Sequence, residues 1–198
     1  MKLHIATSNK TGEECKEIAK EMGYKLTDME SCDIFISVLY NKIIPEEYID
    51  SRPCFNFHPG RLPEYRGVGI QSWIFINHEI GAFVTLHKID KGIDTGDVIA
   101  YSDPVIPDDD DTAETLHNKI QEVIVEMFKE WLPKLCKGDY TANKQEDSYS
   151  KKYKTHTYKD LELAKDMTDY VKAFTFKGKE EAYWIDSKGN KHYIGKYK

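Results

Sequence analysis

Cys54-Phe55-Asn56-Phe57-His58 alternates polar and aromatic side chains. In an extended strand successive side chains leave opposite faces, so Asn56 and His58 project from the same face, two positions apart. Pro59-Gly60 closes the run, and Leu62-Pro63-Glu64-Tyr65-Arg66-Gly67 has the composition of a loop, where functional groups concentrate. Gly92-Ile93-Asp94-Thr95-Gly96-Asp97 is a glycine-punctuated turn presenting carboxylates between two apolar runs, and Asp94 is placed to face the Asn56/His58 pair. Singly, each feature is commonplace, since an aspartate between glycines is usually a plain turn residue. Together they offer an amide N–H that donates at any pH, an imidazole that exchanges protons near neutrality, and a carboxylate to fix the ring.

A strand and two turns can hold such groups only if a sheet carries them. Asp33 to Tyr40 is a near-continuous apolar run of strand length, the pattern of a central parallel strand covered on both faces. Lys2 to Thr7 reads as a first strand. Thr11 as N-cap with Glu14 three residues on reads as a capping box, and Cys15, Ile18, Ala19 and Met22 recur at helical spacing up to Gly23. The turn between them, Thr7 to Gly12, carries one glycine, which fits a capped helix better than a phosphate cradle. Ile70, Trp73 and Ile74 mark the apolar face of a helix starting near Gly69, with Trp73 directed to the core. Ala82 to Ile89 and Val98 to Val105 read as strands bracketing the Asp94 turn, and His87 reads as a satisfied structural histidine within the first.

The acidic run Asp108 to Asp111 precedes a long amphipathic helix through Leu116, Ile120, Val123, Ile124, Met127 and Trp131. Asp111 and Glu114 are its expected capping box, and carboxylates there suit the helix dipole better than a metal. Pro133 is expected to kink or shorten the last turn before Gly138. Lys137 to Asp160 is polar and aperiodic, a loop or extended connection with one basic and aromatic patch, Lys151 to Thr155. Beyond it, a helix over 161–171, a strand over 171–176, and a hairpin pairing Glu181–Asp186 with Lys191–Ile194 are expected.

The chain has 198 residues, 40% of them apolar, enough for one well-buried α/β domain and a small appendage. The expected division is 1–140 and 141–198. A net charge of −6 gives no electrostatic footprint for a nucleic acid, which would demand a basic face. Cys15, Cys32, Cys54 and Cys136 lack C-x-x-C pairing, so free thiols in a reducing compartment are expected and zinc is not. With no apolar run of membrane length and no signal-peptide pattern, the expectation is a soluble cytoplasmic protein.

The combined pattern N-x-H-P-x-x-L-P-x-x-R-G, an apolar helix, then V-T-x-H-x-I-D-x-G-I-D-T-G-D resembles the formyltransferases that use 10-formyltetrahydrofolate. The resemblance covers residues 33 to 125 and includes the spacing from His58 to Asp94. It implies a Rossmann-like, mostly parallel sheet, here with fewer N-terminal strand-helix units than usual in the family and a small C-terminal hairpin extension. It also implies that Asn56, His58 and Asp94 are catalytic, that 10-formyltetrahydrofolate is the formyl donor and that no metal takes part. By the same resemblance, the loop with Tyr40, Lys42 and Ile43 and the segment Ile89, Asp90 and Lys91 line the pterin pocket.

Three branches of the family bear comparison with this sequence. Methionyl-tRNA formyltransferases carry a further tRNA-holding domain, for which this chain is too short and too acidic. Glycinamide ribonucleotide formyltransferases, the alternative branch, have a glycine-rich first turn and a serine after His-Pro, where Gly60 stands here. His58-Pro59-Gly60, Arg66-Gly67, Gln71, Trp73 and the aromatic tail are more similar to enzymes that formylate a nucleotide-linked amino sugar. Arg66, Gln71, Trp73, Lys152 and Lys154 are then the substrate-binding residues, with Arg66 and the Lys151–Lys154 loop on the phosphates. A non-catalytic formyltransferase-like module and a formyl-tetrahydrofolate hydrolase are the other classes. The hairpin and its aromatics suggest a homodimer.

Overall fold

The computed structural model describes residues 1–146 and 151–197. Its contacts divide the chain into two compact units interleaved in sequence. The first holds Met1–Arg66, Phe83–Asp103 and Gln121–Lys151, and the second Gly67–Ala82, Pro104–Ile120 and Lys152–Lys198. Position 140 thus falls inside a segment of the first unit.

The first unit is built on a six-stranded sheet. Its strands are β1 (Lys2–Thr7), β2 (Lys25–Leu26), β3 (Ile34–Val38), β4 (Cys54–His58), β6 (Thr85–Lys88) and β7 (Val98–Tyr101), in the order β2-β1-β3-β4-β6-β7. β1 to β4 run parallel, β6 pairs antiparallel with β4 and β7 antiparallel with β6, so only β6 runs against the rest and the sheet is mostly parallel, as expected. Every residue of β3 is buried, as its unbroken apolar run requires of a central strand. Phe55 and Phe57 of β4 are buried beside it, and Phe57 meets Phe128 at 5.6 Å between ring centres. Burying each such ring contributes on the order of 2 kcal/mol, which anchors the strand carrying Asn56 and His58.

Helix α1 (Lys10–Glu21) follows β1, with Cys15 and Ala19 buried at the expected spacing and Gly23 at φ 84 stopping it. Its cap is Asn9 rather than Thr11: the Asn9 Oδ1 accepts from Gly12 N at 3.1 Å, while the Thr11 hydroxyl donates to Gln121 Oε1. Helix α2 (Glu46–Ser51) leads into β4. The cysteines are all free, and burial pushes the Cys15 and Cys54 thiols up to about 12 and about 11. Leu62 to Gly67, expected as loop, ends in a short strand, β5 (Tyr65–Gly67), which pairs with β8 (Lys151–Tyr153).

Helix α4 (Ala113–Lys137) contributes residues to Ile120 to the second unit and from Gln121 to the first. Its entry is secured by Thr112 and Thr115, each backbone N–H donating to the other's hydroxyl, and not by Asp111 with Glu114. Asp111 instead accepts from the Thr115 hydroxyl and pairs with Lys119, and Glu114 accepts from Lys177 N. Pro133 does not end the helix, which continues to Lys137 with Leu132 and Leu135 buried on either side of the proline. Gly138, at φ 70, and Asp139 then close it by donating to Leu135 O and Lys134 O.

In the second unit, α3 (Ile70–Ile76) starts after Gly69 as expected and is buried along almost its whole length. Residues expected as one helix and one strand are instead a 3-10 turn, Tyr158–Leu163, and α5, Met167–Phe174. The reason is periodicity: Tyr170, Ala173 and Phe174 fall on one helical face and are all buried, and Asp166 caps the helix by accepting from Asp169 N. The C-terminal hairpin forms as expected from β9 (Ala182–Ile185) and β10 (Lys191–Gly195). Asp186 accepts from Lys188 N and Asn190 N in its turn and from His192, bonds that hold its carboxyl well below the usual range. Among the described residues no helix is long and apolar enough to cross a membrane.

Candidate active site

The end of β4 lies beside β6 in a fixed register that sets Asn56 opposite His87 and His58 opposite Thr85. Because β3 flanks β4 on its other edge, the strand cannot slip without turning Asn56 and His58 to the other face. The Asp94 turn follows β6 closely. Gly96 is pressed against it so tightly that a Cβ there would sit 1.9 Å from Lys88 O, and Gly92 is similarly crowded by Thr95. Asp90 organises the start of the turn by accepting from Gly92 N and the Thr95 hydroxyl. Asp94 itself has φ 54, the left-handed conformation that aspartate tolerates better than most residues.

These constraints bring Asn56, His58 and Asp94 together. The Asp94 carboxylate reaches His58 Nδ1 at 3.6 Å and Asn56 Nδ2 at 3.5 Å. His58 is 3% exposed, and its Nε2 lies 2.6 Å from Tyr65 O. A carbonyl only accepts, so Nε2 carries a hydrogen, and Nδ1 is the atom left to take up a proton, on the side facing Asp94.

His87, expected as a structural residue, belongs to the same cluster. Its Nδ1 donates to Lys88 O at 2.6 Å, which leaves Nε2 as an acceptor for the Asn56 amide at 3.1 Å. Nε2 is also 3.7 Å from Asp94. Burial, and then the facing His58 imidazole, push the His87 pKa down to about 4 against the opposing pull of Asp94, so His87 is neutral at physiological pH. The two rings meet edge to face at 6.2 Å. The sequence signal for this role is a histidine within a short strand, and only the antiparallel register with β4 gives it meaning.

Gln145 is the second residue that sequence reading passed over. Backbone bonds between Asn143 and Val98 tie its segment to β7. Its Nε2 donates to Asp94 O at 3.0 Å and Gly96 O at 2.7 Å, and its Oε1 accepts from Arg66 Nε and Nη2 at 3.1 and 2.8 Å. Arg66, expected on a phosphate, is thus a buried group bonded to Gln145.

Of the expected pterin-pocket residues, Tyr40 and Ile89 pack against the cluster of Ala6, Cys32, Phe35, Ile44 and Cys54. Ile44 is core, whereas Ile43 is 87% exposed, an apolar side chain left in solvent beside the exposed Lys42. Ile89 N is spent on Cys54 O, and Lys91 pairs with Glu46 and Asp50. Asp90, as described, is engaged in its own turn.

The remaining expected residues belong to the second unit. Trp73 is buried, donates to Lys154 O at 2.7 Å and lies against Tyr153, while Gln71 is half-buried. The Lys152 and Lys154 side chains are exposed.

Residues 5–132 match the family model described as formyl transferase. The chain is 34% identical over 149 residues to a methionyl-tRNA formyltransferase from Caldanaerobacter subterraneus, an alignment covering 67% of this chain and 48% of that one. It spans about half the length, or less, of the curated relatives it matches. Among solved structures, a 4-N formyltransferase from Francisella tularensis aligns over 100% of this chain and 98% of its own, with TM-score 0.79 and 24% identity. An N-formyltransferase from Helicobacter canadensis, in complex with folinic acid and dTDP-3-aminofucose, aligns over 89% of this chain and 81% of its own, with TM-score 0.71 and 23% identity. At those identities the likeness establishes the fold, and the family model covers the strand that carries Asn56 and His58 and the turn that carries Asp94. The chain belongs to the formyl transferase family.

Proposed function

We propose that this protein transfers the formyl group of 10-formyltetrahydrofolate to the amino group of a nucleotide-linked amino sugar, with Asn56, His58 and Asp94 as catalytic residues. The observation that carries the reading is the convergence of the Asn56 amide and the His58 imidazole, from one strand end, on the Asp94 carboxylate of the facing turn, at 3.5 and 3.6 Å.

The chemistry follows from those atoms. The acceptor amine attacks the formyl carbon and the carbonyl oxygen becomes an oxyanion. One Asn56 N–H is engaged by His87 Nε2, which fixes the amide plane; the other, bound to Asp94 only at the long distance of 3.5 Å, is the donor available to the oxyanion. One preorganised donor of this kind contributes about 3 kcal/mol of transition-state stabilisation. His58 Nδ1 takes the proton that the amine loses, and Asp94 stabilises the imidazolium so formed. The carbon–N10 bond then breaks, the proton passes to N10, and tetrahydrofolate and the formamide leave. Asn56 and Asp94 hold the reacting groups, so direct transfer needs no protein nucleophile.

Two further facts support the donor and acceptor. The Helicobacter canadensis relative was solved with folinic acid and a dTDP-linked amino sugar, and the Francisella tularensis 4-N formyltransferase matches this fold from end to end. The net charge of −6 argues against tRNA as acceptor. Methionyl-tRNA is the second reading, favoured by the names of the sequence relatives. The test is tetrahydrofolate release from 10-formyltetrahydrofolate with dTDP- and UDP-linked amino sugars, glycinamide ribonucleotide, methionyl-tRNA or no acceptor. Turnover restricted to an amino sugar is expected; turnover restricted to methionyl-tRNA would move the chain to the second reading.

A further inference from the structure

The Asp94 carboxylate lies 3.5 to 3.7 Å from three partners, His58, Asn56 and His87, each at the edge of hydrogen-bond reach. At such distances a shift of a few tenths of an ångström decides which partner it serves. What fixes the Asp94 backbone therefore fixes the site. Asp94 is a non-glycine residue in the left-handed region, and Asp90, which organises the turn's start, bonds to Gly92 and Thr95 rather than to Asp94.

Gln145 restrains that backbone directly. Its amide nitrogen donates to the carbonyls on either side of Thr95, and its oxygen accepts both donors of the Arg66 fork. The amide can face only one way. Reversed, its oxygen would confront two carbonyls and its NH2 would confront a guanidinium, so four favourable pairs would become four repulsive ones. Arg66 is 8% exposed, and a buried guanidinium keeps its charge, so its fork polarises the Gln145 amide and strengthens the donation to Asp94 O and Gly96 O. Gln145 is in turn held to β7 by the paired backbone bonds of Asn143 with Val98.

We propose that Gln145, braced by Arg66, is a positioning residue for formyl transfer: it straps the backbone of the Asp94 turn and so sets the reach of the Asp94 carboxylate to His58 and Asn56. This rests on the formyl-transfer reading above, and it gives Arg66 a bracing task in place of the phosphate contact expected of it. The strap touches no reacting atom. Its removal changes kcat by moving Asp94 and leaves the affinity for either substrate largely intact.

The test compares Gln145→Glu with the unmodified chain. Glutamate has the same length and keeps an acceptor for Arg66 but loses both donors to the turn. The expected result is a roughly 10- to 100-fold fall in kcat with KM for 10-formyltetrahydrofolate and for the amino sugar within about threefold, since small misplacements cost rate rather than binding. Arg66→Lys, which keeps a charge but loses the fork, gives a smaller fall of the same kind, and it carries the test if the glutamate variant does not fold. Unchanged kcat in a folded variant, or a loss confined to the KM of the nucleotide sugar, overturns the strap. An unmodified chain that transfers no formyl group would contradict the formyl-transfer reading, and the strap then stands or falls on imidazole NMR. His58 ring resonances shift in Gln145→Glu while those of His4 do not; unmoved His58 resonances overturn it.

Discussion

Asn56 and His87 face each other across β4 and β6, with Asn56 Nδ2 3.1 Å from His87 Nε2. The bond fixes which way the Asn56 amide points, because His87 Nδ1 is committed as donor to Lys88 O and Nε2 can only accept. His87→Phe keeps the ring volume and removes the acceptor, so the amide is free to turn. Steady-state kinetics should show kcat reduced roughly tenfold, about the worth of one buried hydrogen bond. An undiminished kcat would mean that the amide is oriented by other means.

The same burial makes His87 a source of acid sensitivity. Its folded pKa, about 4, lies below the ordinary value of 6.5, so the unfolded chain binds the proton more readily than the folded one. Stability attributable to His87 is therefore complete above about pH 6.5 and is lost as pH falls towards 4, by an amount on the order of 3 kcal/mol. His117 and His156, also held low chiefly by burial, act in the same direction. Denaturant titrations between pH 7 and about pH 4 should show a shallower decline for His87→Gln than for the unmodified chain. Parallel curves would show that His87 does not couple folding to protons.

Replacing the three proposed catalytic residues separates their tasks. Asn56→Ala removes the oxyanion donor and should lower kcat by about 100- to 1000-fold. His58→Ala removes the proton acceptor, with a loss of similar or smaller size, and Asp94→Asn removes the charge that supports the imidazolium while keeping its shape. Each variant should bind tetrahydrofolate in an equilibrium titration much as the unmodified chain does. If turnover survives all three, the chemistry lies elsewhere on the fold.

Gly60 has a steric reason to be glycine. A Cβ at this position would lie 2.8 Å from both His58 Nε2 and Tyr65 O, the two atoms of the bond that sets the His58 ring. Gly60→Ala should push them apart, cost about 1 to 3 kcal/mol of stability by overpacking, and depress kcat more than its small size suggests. A crystal structure of the variant with that bond intact, together with unchanged kinetics, would contradict this.

Local pattern carried much of the architecture. Alternation in β4 was enough to set Asn56 and His58 on one face, and the apolar run of β3 was enough to place it centrally. Thr11 reads as the cap because Glu14 follows it at capping-box spacing; that Asn9 caps instead depends on Gln121, far along the chain, which takes the Thr11 hydroxyl. His87 and Gln145 were illegible for a related reason. One acquires its partner through strand register, the other through a bridge from Asn143 to β7, and neither register nor bridge leaves a periodic trace in the residues themselves. The expected helix over 161–171 overlaps α5 only as far as Val171, because the apolar stretch that completes it fits strand and helix alike until its burial is seen.

The most direct measurement follows the formyl carbon. 10-Formyltetrahydrofolate labelled in the formyl group is given to the protein with dTDP- and UDP-linked amino sugars, glycinamide ribonucleotide and methionyl-tRNA in competition, and the products are resolved by mass spectrometry. The account predicts the label as a formamide on a nucleotide-linked sugar, abolished in Asn56→Ala. Label recovered on methionyl-tRNA or glycinamide ribonucleotide, or released as formate, would contradict it.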